Sequence, residues 1–164
     1  MRNLLILILI VFLCSCGNTI YVVRHAEKAT PMGNSTDVPL SAEGEKRALA
    51  LKETLKDKKI ELIYSTNTIR TRSTAQPTAD QFGLTITTYG PRPDSAFINL
   101  LKGSKKNTLV VGHSNTIDDI ANMLTGTTAV AGDLKDSEYD NLYVIKRKGK
   151  RFVFKGEKYG APSK

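Results

Sequence analysis

Two histidines are all that this chain of 164 residues contains, and each stands among residues suited to phosphoryl chemistry. His25 sits in Arg24-His25-Ala26-Glu27, His113 in Gly112-His113-Ser114-Asn115, and a third polar segment runs from Ser65 to Arg70. A neutral imidazole is a competent nucleophile, and a second imidazole can stabilise charge on a transferring group. Guanidinium groups offer planar, paired donors that match phosphate oxygens, and arginine can supply the charge neutralisation that a metal gives elsewhere. Arg24, His25, Arg70 and His113 therefore form a candidate phosphoryl-transfer set. The competing chemistry is metal binding by the two histidines. It lacks a third ligand of suitable spacing, and Arg24 beside a cation would oppose it. No metal and no cofactor are expected.

These residues need elements to bring them together. Ile20–Val23 is a short apolar, β-rich run, continuous enough to be buried on both faces. Residues 29–38 carry turn formers and read as a loop. Ser41 reads as a helix N-cap, with Glu43 and Glu45 in the first turn and Ala48, Leu49, Leu51 and Leu55 at helical spacing. Further strands are expected at 60–64, 84–88 and 108–111. Helices are expected over 68–82, interrupted by Pro77 and stopped by Gly83, over 95–101 and over 116–124. Residues 142–146 and 152–155 flank Arg147-Lys148-Gly149-Lys150 as a hairpin. Strands alternating with helices predict an α/β domain around a mostly parallel sheet, with antiparallel strands near the C-terminus. Both histidines then fall just beyond strand ends, and in such sheets ligands bind outside the carboxyl ends of the strands.

Four motifs, R-H-A-E at 24–27, P-L-S-A-E-G at 39–44, Y-S-T-N-T-I-R-T-R-S-T-A at 64–75 and V-V-G-H-S-N-T at 110–116, resemble those of the histidine phosphatase superfamily, the phosphoglycerate mutase-like proteins, in the same order. The resemblance implies a three-layer α/β/α sandwich over residues 19–160. It also implies a phosphohistidine on His25, with Arg24, Arg70 and His113 binding phosphate. Ala26 stands where glycine is commoner, a small-for-small change that the turn is expected to tolerate. The family's general acid, where present, follows the third strand, and Asp94 is the candidate here; Pro-Asp-Ser also suits a plain helix N-cap. Glu27 is expected to orient the loop or pair with an arginine, and Arg72 to be solvated. At least one of Asp118 and Asp119 should be solvated. Ser114 and Asn115 offer backbone donors at a helix start, although capping explains them equally well.

The N-terminus differs from the rest. A positive start, Met1-Arg2-Asn3, precedes ten apolar residues from Leu4 to Leu13, too short a run to span a bilayer but suited to a signal peptide. Leu13-Cys14-Ser15-Cys16 resembles a bacterial lipoprotein signal. Residues 1–15 are then expected to be removed and Cys16 lipidated, giving an exported protein anchored on the periplasmic or outer face of the envelope. Only residues 17–19 would separate lipid from the first strand, at most about 11 Å, which turns the opposite, His-bearing edge away from the membrane. Loss of Cys14 and lipidation of Cys16 leave no thiol for catalysis or for a metal.

The formal net charge is +8, much of it at 52–59, 102–106 and 146–158, without interleaved aromatics. Solvated faces account for these stretches better than a nucleic-acid site does, and no nucleic acid is expected as a partner. The expected partners are a small-molecule or protein phosphomonoester substrate and, through Cys16, a membrane. Two other activities fit the same residues: a phosphoglycerate mutase-type phosphotransferase and a non-catalytic phospho-ligand binder. An export signal and a compact length weigh against the former.

Overall fold

A computed structural model describes residues 17–31 and 37–163. Ten elements alternate along the chain: β1 (Thr19–Arg24), α1 (Ala42–Leu55), β2 (Leu62–Thr66), α2 (Ile69–Phe82), β3 (Ile86–Tyr89), α3 (Ser95–Gly103), β4 (Thr108–Gly112), α4 (Ile117–Thr125), β5 (Asn141–Lys148) and β6 (Arg151–Lys158). The six strands form one sheet in the order β3-β2-β4-β1-β5-β6. The first four in that order are parallel, and β5 and β6 join antiparallel. This is the mostly parallel sheet with antiparallel C-terminal strands that the sequence predicts.

Strand geometry explains the layering. Successive side chains point to opposite faces of a sheet, and β1 is apolar at every interior position. Tyr21 and Val23 join Leu51 and Leu55 of α1 and Ala75 and Ala79 of α2 in one core. Ile20 and Val22 join Ile98 and Leu101 of α3 and Ile117, Ile120 and Leu124 of α4 in another. Helices therefore cover both faces, giving an α/β/α sandwich.

Two local features differ from the sequence expectation. Pro77 does not interrupt α2, which runs unbroken from a Thr68 N-cap to Gly83 in the left-handed region at φ 63°. Proline removes one ladder hydrogen bond, but Thr74, Ala75, Thr78 and Ala79 are buried along that helix and hold it in place. The α4 helix begins at Ile117 rather than at the preceding polar residues, and Thr116 at its start makes no side-chain capping bond. The expected signal peptide, Cys14 and the lipidation site Cys16 lie outside the described residues. Among those described, no helix is long and apolar enough to cross a membrane.

The turn after β1 is pinned from three sides. His25 donates its backbone N–H to Gly112 O at 2.9 Å, extending the β1–β4 pairing. Ala26 N–H donates to Thr74 Oγ1 at 2.9 Å, and the Ala26 methyl, fully buried, packs with Leu40 and Ala48. Gly44 in the first turn of α1 lies so close that a Cβ there would stand 2.1 Å from Glu27 O. Gly44→Ala must push α1 off this turn. It is expected to cost about 3 kcal/mol by denaturant unfolding, whereas Gly103→Ala, where a Cβ meets nothing within 4 Å, leaves stability nearly unchanged.

Candidate active site

Register brings the histidines together. Arg24 pairs with Gly112 across β1 and β4, so the next residue on each strand, His25 and His113, leaves the sheet at the same place. Their ring centroids are 5.4 Å apart at an interplanar angle of 68°. From β2, the other neighbour of β4, Thr66 Oγ1 lies 2.9 Å from His113 Nε2.

Hydrogen bonds orient both rings. His25 Nδ1 lies 2.8 Å from Ala26 O. A carbonyl only accepts, so Nδ1 carries the proton and Nε2 presents a lone pair. On His113 the assignment is the reverse. Thr71 Oγ1 donates to Thr66 O at 2.8 Å, and Thr66 Oγ1 donates to Thr71 Oγ1 at 3.1 Å. With its proton committed, the Thr66 hydroxyl accepts from His113 Nε2–H, which leaves Nδ1 unprotonated in the neutral ring.

Burial sets the charge state. His25 is 4% exposed. Its pKa falls to about 3, chiefly through desolvation, against the Ala26 hydrogen bond and with help from the charges of Arg24, His113 and Arg70. His113 falls to about 4 through burial and the charges of Arg70 and Arg24, with Asp37 acting the other way. Both rings are neutral near pH 7, which keeps the His25 lone pair available.

The arginines are held differently. Arg24 is 2% exposed and lies beneath residues 135–139. Its Nη1 donates to Lys135 O at 2.8 Å, Glu138 O at 3.2 Å and Asp136 O at 3.3 Å. The guanidinium stands 4.1 Å from the Tyr139 ring centroid. Its Nε–H is buried without a partner among the described residues. Arg70 is half-buried, with Nη1 3.4 Å from Asp37 Oδ1. The same carboxylate accepts from the Ile69 N–H at 2.9 Å, at the start of α2.

The remaining candidates are distributed as follows. Asp94 is exposed at the start of α3, where its carboxylate accepts from Phe97 N–H at 2.8 Å. It is not among the charges that shift either imidazole. Glu27 pairs with Arg47 at 2.6 Å, and Arg47 Nη1 reaches Ala161 O at 2.9 Å, tying α1 to the C-terminal segment. Arg72 is exposed. Asp118 is buried and its pKa raised by desolvation, whereas Asp119 is half-exposed. Ser114 O accepts from Leu134 N–H at 3.1 Å, holding the loop that leads to Tyr139.

Sequence reasoning missed Thr66, Asp37 and Tyr139. Tyr139, 6.1 Å from the His25 ring, walls the site from a stretch without motif or periodicity. Its only signal is an aromatic residue two positions before a strand.

Comparison with known proteins now adds to this geometry. Residues 20–90, which include three of the four motifs, match the model of the histidine phosphatase superfamily, branch 1. Over those residues the chain resembles the histidine phosphatase superfamily. No curated protein matches it by sequence. Similar solved structures include one named as phosphohistidine phosphatase SixA from Agrobacterium tumefaciens, at 20% identity and TM-score 0.68, covering 89% of this chain and 99% of that one. A mycobacterial glucosyl-3-phosphoglycerate phosphatase matches at 14% identity and TM-score 0.63, over 84% and 97% of the two chains. A phosphoserine phosphatase from Entamoeba histolytica matches at 14% and 0.64, over 88% and 98%. At these identities the likeness is one of fold. Among histidine phosphatase superfamily motifs, the V-V-G-H-S-N-T segment lies beyond the matched residues, and the β1–β4 register is what joins it to R-H-A-E.

Titration of the imidazoles follows from the burial. By ring 15N NMR, both are expected to stay neutral down to about pH 5, His113 protonating near 4 and His25 near 3. Unfolded imidazoles titrate near 6.5, so between these values the unfolded chain binds more protons. Stability should accordingly fall as pH drops from about 6.5 towards 4. Inorganic phosphate should raise the His113 value, because Nδ1 must gain a proton to donate to the anion. A free-protein titration of either ring near 6.5 contradicts the site as described.

Proposed function

We propose that the protein is a phosphomonoester hydrolase that acts through a phosphohistidine on His25. The observation that carries this reading is the Nδ1–H bond to Ala26 O, which leaves a neutral, buried imidazole with its Nε2 lone pair beside two guanidiniums and a second imidazole. Nε2 attacks phosphorus in line, forming the P–N bond as the bond to the leaving oxygen breaks. Arg24 Nε, Arg70 and His113 hold the three equatorial oxygens, whose negative charge is what a low-dielectric cluster of donors stabilises best. Water then attacks phosphorus, the P–N bond breaks, and inorganic phosphate leaves.

For the proton, Asp94 is our proposed acid. It protonates the leaving alkoxide in the first step and accepts a proton from the attacking water in the second. Its capping bond supplies a control, because serine caps a helix but carries no titratable carboxyl.

His25→Asn is expected to lower kcat on a generic soluble phosphomonoester by on the order of 10³-fold or more, and EDTA to leave the wild-type rate unchanged. Asp94→Ser is expected to lower kcat about a hundredfold with little change in stability. Loss of activity in EDTA with restoration by zinc overturns the metal-independent mechanism. A fully active Asp94→Ser chain removes Asp94 from it. Turnover by His25→Asn would leave only phospho-ligand binding for this residue.

We further propose that residues 1–15 are an export signal and that Cys16 carries lipid, holding the hydrolase on the outer side of a bacterial membrane. Intact-mass measurement of the protein from its native host is expected to show a diacylglyceryl adduct at Cys16. An unmodified chain that retains Met1 or its neighbours contradicts this.

A further inference from the structure

Three basic stretches far apart in sequence meet at one end of the sheet, opposite the imidazoles. β1, β2 and β4 are parallel and in step, so the residues preceding them share an edge. Lys58 and Lys59 lead towards β2, and Lys105 and Lys106 towards β4. β5 runs antiparallel to β1, pairing Lys146 with Thr19, so the β5–β6 turn brings Lys148, Lys150 and Arg151 to the same edge. All these residues are exposed. Among the described residues none of them forms an ion pair. Of the neighbouring acids, Glu61 gives its carboxylate to Asn107 N–H, leaving Asp57 exposed.

The chain also enters the fold inside this cluster, at a clamped point. Asn18 is 4% exposed. Its Nδ2 donates to Lys106 O at 3.1 Å, and its Oδ1 accepts from Arg147 Nε at 2.7 Å. Thr19 N–H donates to Asn107 Oδ1 at 2.9 Å, and Arg147 Nη2 continues to Ser104 O at 2.9 Å. Residues 1–16, with their apolar run, therefore join the fold at a point fixed between the lysine-bearing turns. One residue, Gly17, and at most about 7 Å of chain separate Cys16 from Asn18. From Leu13, where the apolar run ends, to Asn18 the chain reaches at most about 18 Å, so a surface that takes up that run is held beside these lysines, whose charge is partly screened at physiological salt.

We infer that this end of the domain is a docking face for an anionic bilayer surface, with Lys58, Lys105, Lys150 and their neighbours meeting lipid phosphate groups while the imidazoles point away. A bilayer suits the face better than nucleic acid does. The cations are spread over three turns rather than lining a groove, and the aromatic residue at hand, Phe152, is covered by the Arg147 guanidinium 4.6 Å from its centroid instead of being open for base stacking. The inference goes beyond hydrolysis and requires no lipid on Cys16.

The full chain, mixed with vesicles of phosphatidylcholine alone or of phosphatidylcholine with phosphatidylglycerol, gives the test through amine-acylation rates read by mass spectrometry. Lys58, Lys105 and Lys150 are expected to react severalfold more slowly on the phosphatidylglycerol vesicles, with relief at about 0.5 M salt. Lys46 and Lys135, at the other end, keep their rates. The double substitution Lys105→Glu with Lys150→Glu removes the slowing and leaves hydrolysis of a soluble substrate unchanged. Equal rates on the two lipids, or no association with phosphatidylglycerol vesicles, overturn the inference. Slowing by a DNA duplex without slowing by phosphatidylglycerol assigns the face to nucleic acid and also overturns it. Activity is read separately, so loss of the phosphatase reading would leave this result standing.

Discussion

Parallel pairing of β1 with β4, in the register that sets Arg24 opposite Gly112, is the constraint on which the site depends. One residue further along each strand, the backbone turns out of the sheet and delivers an imidazole. His25 N–H on Gly112 O fixes the spacing of the two turns. A shift by one residue would send alternate side chains to the opposite face. It would also expose Ile20 and Val22, or Tyr21 and Val23, to the wrong core. The hydrophobic layers that stabilise the domain therefore also enforce the distance between the two histidines, and no separate device is needed to hold them together.

Burial that secures this geometry also tunes its chemistry. Removing His25 from water disfavours its charged form, and the nearby arginines do so further. In the proposed reaction a phosphoryl group reverses the sign of that interaction, adding negative charge beside Arg24 and Arg70 and giving His113 a reason to take up a proton. The loop at 135–139 takes part by fastening both Nη atoms of the Arg24 guanidinium, while its buried Nε has no partner among the described residues.

Much of this is legible in the sequence because it depends on short-range pattern. Continuous apolar runs mark the buried strands, and Ser41 and Thr68 mark helix starts. The placement of polar motifs just after the strands marks the carboxyl edge as the site. Arg24, His25, Arg70 and His113 follow from that placement. What escapes is long-range. Tyr139 reaches Arg24 across more than a hundred residues, and Asp37 acts on His113 only through the fold. Arg47 carries no motif, yet it links Glu27 to the C-terminal segment. Pro77 shows the complementary failure, since a local rule against proline in helices yields to burial of the residues around it. Asp94 shows why one residue can satisfy two readings: a carboxylate at the start of a helix caps it whether or not it also moves a proton.

The central claim is that His25 attacks through Nε2, since Ala26 O holds the other ring nitrogen. Rapid acid-free quenching of the enzyme during turnover, followed by 31P NMR and peptide mapping, tests it directly. The account predicts one base-stable, acid-labile phosphoramidate, bonded to Nε2 of His25 and absent from His25→Asn. Phosphate on Nδ1, on His113 or on a hydroxyl, or turnover with no phosphoenzyme formed, would contradict it.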